Sequence, residues 1–156
     1  MTTRDLASSI KPVQHLSSAA YTTTQTPTNG VDTKGYQALV AMISIGVVTN
    51  IANSPQPSWA FKFQESDSVS SDFSDVVDTD RVLVSSSKSP VASVNTSTGV
   101  FLTVDAAAED DTVYAVGLIT KKQYVRVVAT AANTPGSTPM SIVLVLGSAQ
   151  FFPTAH

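Results

Sequence analysis

The segment from Tyr36 to Thr49 limits the possible folds of this chain more than any other. Apolar side chains recur there at every second position, at Leu39, Ala41, Ile43, Ile45 and Val47. This period of two predicts a β-strand, because successive side chains of a strand point to opposite faces. The second face carries Ala38, Val40 and Met42, so the strand is predicted to be buried on both sides for part of its length.

A second strand is predicted at residues 59–64, where the alternation is cleaner. Trp59, Phe61 and Phe63 face one way, and Lys62 and Gln64 face the other. This pattern is typical of a half-buried antiparallel strand whose aromatic side chains belong to the core.

Shorter runs complete the predicted fold. Strands are expected at residues 13–16, 20–24, 81–84, 91–94, 100–104, 112–120, 123–130 and 140–146, with Lys121 and Lys122 as a tight hairpin connection. The apolar spacing 69, 73, 76, 77 predicts one short helix within the acidic segment 65–80. Eight or nine strands with at most one short helix indicate an all-β fold, an antiparallel β-sandwich, with the jelly roll as the favoured form.

Composition agrees with a β protein. The chain has 21 Val, 21 Ser and 19 Thr, but only 13% charged residues, about half the usual share. Residues 1–35 are predicted to form a polar N-terminal arm plus the first strand, and residues 36–156 a single sandwich domain. No leader for secretion and no apolar stretch of membrane-spanning length is visible, so synthesis in the cytoplasm and no membrane contact are expected.

The sequence does not predict an enzyme. His15 and His156 are the only histidines, and cysteine is absent. His156 is the last residue, and no Gly-x-Ser-x-Gly elbow accompanies His15. No phosphate-binding glycine motif is present, and no cofactor is expected.

Two groups of charged residues are candidate binding sites. Ten of the twelve carboxylates lie between Glu65 and Asp111, but their spacing does not follow a calcium loop, so no metal is predicted. A solvated loop or an acidic patch facing a basic partner explains them better. Lys121, Lys122 and Arg126 have no interleaved aromatic residue beyond Tyr124, and the net charge is −3, so nucleic acid is not an expected partner.

Three segments carry a resemblance to a known group of proteins. They are Asp32-Thr-Lys-Gly-Tyr36, Glu65-Ser-Asp67 and Gly117-Leu-Ile-Thr-Lys-Lys-Gln-Tyr-Val-Arg126. With further short matches from Asp5 to Pro153, the chain resembles the capsid cement or decoration proteins of tailed bacteriophages. Similar sequences often carry a basic residue where this chain has Gln123, which puts a role for a basic residue at that position in doubt.

The resemblance implies a virion structural protein on the capsid exterior. Such a protein binds the mature capsid from outside and bridges neighbouring major capsid proteins, often as a dimer or trimer of its own copies. Candidate contact residues are Thr22, Thr23 and Thr24 in the polar arm, and Phe151 and Phe152 near the C-terminus. Two alternatives stay open: another virion component (neck, tail or head fibre), or a glycan- or calcium-binding jelly-roll module.

Overall fold

A computed structural model describes residues 9–84 and 94–149 of the chain. In these residues the chain forms ten strands and no α-helix. The strands are β1 (Ile10–Tyr21), β2 (Val31–Asp32), β3 (Tyr36–Ile45), β4 (Ser58–Ser66), β5 (Ser74–Asp75), β6 (Val82–Val84), β7 (Val100–Val104), β8 (Thr112–Leu118), β9 (Tyr124–Ala132) and β10 (Thr138–Ala149).

The strands form two antiparallel sheets that pack as a sandwich. Sheet A has the order β1-β10-β3-β8-β6, and sheet B has the order β2-β9-β4-β5, with β7 also pairing with β4. The predicted all-β antiparallel sandwich is therefore confirmed.

The pairing of the strands is nested along the chain. β1 pairs with β10, β2 with β9, β3 with β8 and β4 with β7. Successive pairs of this series lie alternately in sheet A and sheet B. Each sheet therefore contains strands from both the N-terminal and the C-terminal half of the chain.

The core lies between the sheets, where the predicted aromatic side chains meet. Trp59, Phe61 and Phe63 of β4 are all fully buried, and the Phe63 ring lies 4.6 Å from that of Phe101. The Trp59 Nε1–H donates a hydrogen bond of 3.0 Å to the buried Thr138 Oγ1. Since β4 and β10 belong to different sheets, this bond joins them through the core.

The N-terminal strand is longer than predicted. The strand expected at 13–16 and the first two residues of the one expected at 20–24 belong to one strand, β1, which pairs with β10 along its length, whereas residues 22–24 lie outside it. Two register shifts, between Gln14 and Leu16 and between Leu16 and Ala19, interrupt the pairing. These bulges break the period of two, so the sequence pattern predicts two short strands where the fold has one. Most of the strand expected at 91–94 lies outside the described residues.

The helix predicted within residues 65–80 was wrong. Val76 is buried, whereas Val69 and Val77 are exposed, so the four apolar residues share no common face. The Ser66 hydroxyl donates to the Ser71 carbonyl and accepts from the Ser68 amide at 2.9 Å. Serine side chains that bond the main chain in this way stabilise turns at the expense of a helix.

The hairpin predicted around Lys121 and Lys122 was also wrong. β8 belongs to sheet A and β9 to sheet B, so residues 119–123 cross from one sheet to the other. A short polar connection between two strand patterns fits both a hairpin and a crossover, and only the packing of the sheets distinguishes them.

Candidate functional site

The outward surface of sheet A is the feature of the fold that differs most from an ordinary sandwich. Residues 39, 41, 43 and 45 of β3 point into the core, so the residues between them point outward. The same alternation holds in β10 and β8. We call this surface the uncharged face; it consists of Ile10, Pro12, Gln14, Ala38, Val40, Met42, Ser44, Leu83, Val113, Ala115, Gly117, Ser141, Val143, Val145 and Gly147.

No position on this face carries a charged side chain, and its polar members are one glutamine and two serines. Leu83 and Val113 are more than half exposed. The outward side of an antiparallel sheet is normally polar when it faces water. Strands lie about 4.8 Å apart and successive outward residues about 6.6 Å apart along a strand, so the fifteen positions give this face roughly 480 Å². A surface of that size and composition is typical of a contact with another molecule.

The outward surface of sheet B has the opposite character. Asp75 accepts from Lys62 at 2.8 Å and from Gln64 at 2.6 Å. The Arg126 Nε donates to the Gln64 Oε1 at 2.8 Å, and its guanidinium lies 4.0 Å above the Phe73 ring. This surface is occupied by charges that are already paired within the chain, so the two sides of the sandwich are chemically distinct.

The acidic segment 65–80 is folded against sheet B, and two of its carboxylates are paired with side chains of the same chain. Asp75 binds Lys62 and Gln64, whereas Asp78 accepts from Lys121 at 3.4 Å. Within residues 9–84 and 94–149, no group of three or more His, Asp or Glu side chains is placed to hold a metal ion. The carboxylates are therefore distributed among separate partners.

A buried ion pair lies where β4 ends. Glu65 and Arg81 form a salt bridge of 2.5 Å with both side chains nearly inaccessible, and the same carboxylate accepts from the Lys121 amide at 3.1 Å. Burial alone would raise the pKa of Glu65, but the hydrogen bonds from the Arg81 side chain and the Lys121 amide, with the charges of Arg81 and Lys122, outweigh it and lower the pKa. The pair therefore stays ionised and ties β4 to the crossover 119–123.

The three segments that carry the family resemblance meet at this crossover. Gln123 donates to the Asp32 carboxylate at 3.1 Å, and its carbonyl accepts from the Thr33 amide and hydroxyl. Glu65 holds the Lys121 amide on the other side. These segments therefore fix the passage of the chain between the two sheets. Similar sequences often carry a basic residue at position 123. In this chain the side-chain amide of Gln123 makes the contact with Asp32.

The basic residues predicted as a cluster serve different partners. Lys121 is largely exposed and pairs with Asp78, while Lys122 donates to the Ser74 hydroxyl at 3.4 Å. Arg126 lies on the sheet B surface, where its Nη1 also donates to the Pro27 carbonyl at 2.9 Å. They do not form one continuous basic patch.

The structure describes three of the five predicted contact residues. Thr22 and Thr23 are exposed. Thr24 is also exposed, but its hydroxyl accepts a hydrogen bond of 3.0 Å from the Ala131 amide of the same chain. Phe151 and Phe152 lie outside the described residues.

Sequence reasoning missed the uncharged face, although its signal was present. The second apolar side of Tyr36–Thr49 was interpreted as buried within the fold, whereas Ala38 is exposed and Val40 and Met42 are only half-buried. The five strands of sheet A carry one formally charged side chain, Lys11. The scarcity of charged residues in these strands is visible in the sequence. Only the pairing of the strands shows that their outward, uncharged side chains lie on one surface.

No family model, no curated protein and no solved structure matches this chain. Among the residues that the structure describes, none belongs to a helix with the length and hydropathy needed to cross a membrane.

Proposed function

We propose that this chain is a structural protein of a tailed-bacteriophage virion. In this proposal it binds the outside of the mature capsid and bridges neighbouring major capsid proteins, without enzymatic activity. The observation that carries the proposal is the uncharged face. Its roughly 480 Å² is more than half of the about 800 Å² that each partner contributes to a standard protein interface.

The chemistry of the face supports a protein partner. An uncharged surface buries no unpaired charge on contact, so its desolvation costs little. Its flat array of Val, Ala and Gly suits packing against another folded surface. The nested strand pairing supports the jelly-roll form that the sequence favours, and the family resemblance points the same way.

Capsid stabilisation would follow from mass action. A protein that binds the mature capsid and not its dissociated subunits shifts the equilibrium toward the assembled form. Contacts that span two capsid proteins add resistance to separation. Copies of this chain can occupy every equivalent position on the capsid.

The copy ratio of this chain to the major capsid protein in purified virions tests the proposal. Quantitative mass spectrometry should give a ratio near one or a simple large fraction of it. A ratio of a few per cent would indicate a neck, tail or head-fibre component instead. Absence from virions would contradict both assignments and favour a glycan- or calcium-binding module.

A further inference from the structure

The outer edge of β9 contains one position where a side chain replaces a strand partner. On either side the main chain of β9 is paired by neighbouring segments: Val125 with Val31, Ala129 with Gln25, and the Ala131 amide with the Thr24 hydroxyl. Between them, the Val127 amide donates to the Nε2 atom of His15 at 2.9 Å. An imidazole therefore completes the hydrogen bonding of this sheet edge.

The residue that fills this position comes from the other sheet. His15 belongs to β1 at the edge of sheet A, and the register with β10 shifts between Gln14 and Leu16. A bulge of this kind redirects the side chain at the shift. The bond from Val127 to His15 therefore joins the edges of the two sheets.

The bond depends on the protonation state of the imidazole. The Val127 amide is the donor, so Nε2 must offer a lone pair. A proton on Nε2 would leave two donors facing each other and the amide unpaired, which is costly away from water.

The charged groups around the imidazole do not favour its protonation. Arg126 of β9 adds a like charge, and Lys11 of β1 lines the same groove as His15. Asp32 of β2 also lines that groove, but its carboxylate accepts from the Lys34 amide and the Gln123 side chain. Burial foremost, with the Arg126 charge, lowers the pKa of His15 to about 4.

We propose that His15 is an acid-sensitive latch that holds β1 against the β9 edge while neutral and releases it when protonated. The inference does not rest on the proposed function, because the latch would act in the isolated chain. It also bears on the uncharged face, since β1 contributes Ile10, Pro12 and Gln14 to that surface.

The sign of the pH effect follows from the lowered pKa. A released imidazole titrates near its ordinary value of about 6.5, whereas the latched one titrates near 4. The latched state is therefore fully favoured above pH 6.5 and loses its advantage as the pH falls toward 4. Between pH 7.5 and pH 5, opening should become about 30-fold more favourable.

Amide hydrogen exchange of the full chain at pH 7.5 and pH 5 tests the latch. After correction for intrinsic exchange rates, the Val127 amide should exchange about 30-fold faster at pH 5 in the wild type. His15→Gln is the matched control, because its side-chain oxygen accepts the same bond without titrating. Its corrected exchange rate should be the same at both pH values.

Two outcomes would overturn the proposal: an equal acid response in wild type and His15→Gln, or no response in the wild type. His15→Leu, which removes the acceptor, should give fast exchange of Val127 at both pH values. If His15→Leu does not fold, the comparison of wild type with His15→Gln still decides.

Discussion

At the scale of single residues, the Glu65–Arg81 pair shows how the crossover is fixed. The Arg81 Nε also donates to the Ile119 carbonyl at 2.9 Å, so one guanidinium contacts both the end of β4 and the residues that leave β8. A buried ion pair adds little net stability, but the loss of one partner leaves an uncompensated charge. The pair therefore specifies the path of the chain.

We expect Arg81→Ala to lower the free energy of unfolding by about 3 kcal/mol, because the buried Glu65 carboxylate loses its counter-ion. Lys121→Ala is the control, since Lys121 and Asp78 form an exposed pair and its loss should cost less than about 1 kcal/mol. Urea unfolding at pH 7 measures both. Equal losses in the two variants would show that the buried pair has no special role.

At the scale of elements, the segment after β4 is held by a close contact with the turn before β2. The Gly30 amide donates to the Val69 carbonyl at 2.8 Å. A Cβ atom at Gly30 would lie 2.9 Å from both the Phe73 ring and the Tyr124 Cβ. Glycine is needed here because two segments approach each other too closely for any side chain.

Gly30→Ala should therefore displace Phe73 from Arg126 and destabilise the fold by about 1–3 kcal/mol. Gly147→Ala offers a matched control, because its new Cβ would meet its nearest neighbours at 3.9 and 4.0 Å, an ordinary contact. Thermal denaturation should separate the two variants clearly. A Gly30→Ala protein as stable as Gly147→Ala would mean that the segment does not need this contact.

The elements predicted correctly from the sequence are those whose pattern is local. β3 and β4 were found because alternation along one strand reports its burial directly. The crossover at 119–123 was not found, since whether consecutive strands pair depends on sheets assembled from distant parts of the chain. The latch at His15 was equally hidden, because it depends on a bulge and on β9, which is more than 100 residues away in sequence.

At the scale of the whole molecule, the chain separates two kinds of surface. The described charged side chains lie mainly on sheet B, on the connections and at the ends of the sandwich, while the outward side of sheet A has none. Such segregation costs solubility when the face is exposed. A partner that covers the uncharged face would remove this cost. The proposed function assigns the capsid as that partner.

The most direct test replaces one residue at the centre of the uncharged face. Val143 lies on β10, next to Met42 of β3 and Gln14 of β1. Val143→Lys should leave the free energy of unfolding within about 1 kcal/mol of the wild type, because the side chain points outward. It would bury an unpaired charge in the complex and should weaken binding to mature capsids at least 100-fold.

Thr130→Lys is the control, since Thr130 is an exposed residue of β9 in sheet B. The measurement is the amount of each folded variant that co-sediments with mature capsids lacking the native chain. Wild type and Thr130→Lys should bind alike, whereas Val143→Lys should bind at least 100-fold more weakly. Undiminished binding of Val143→Lys would contradict the assignment of the uncharged face as the capsid contact.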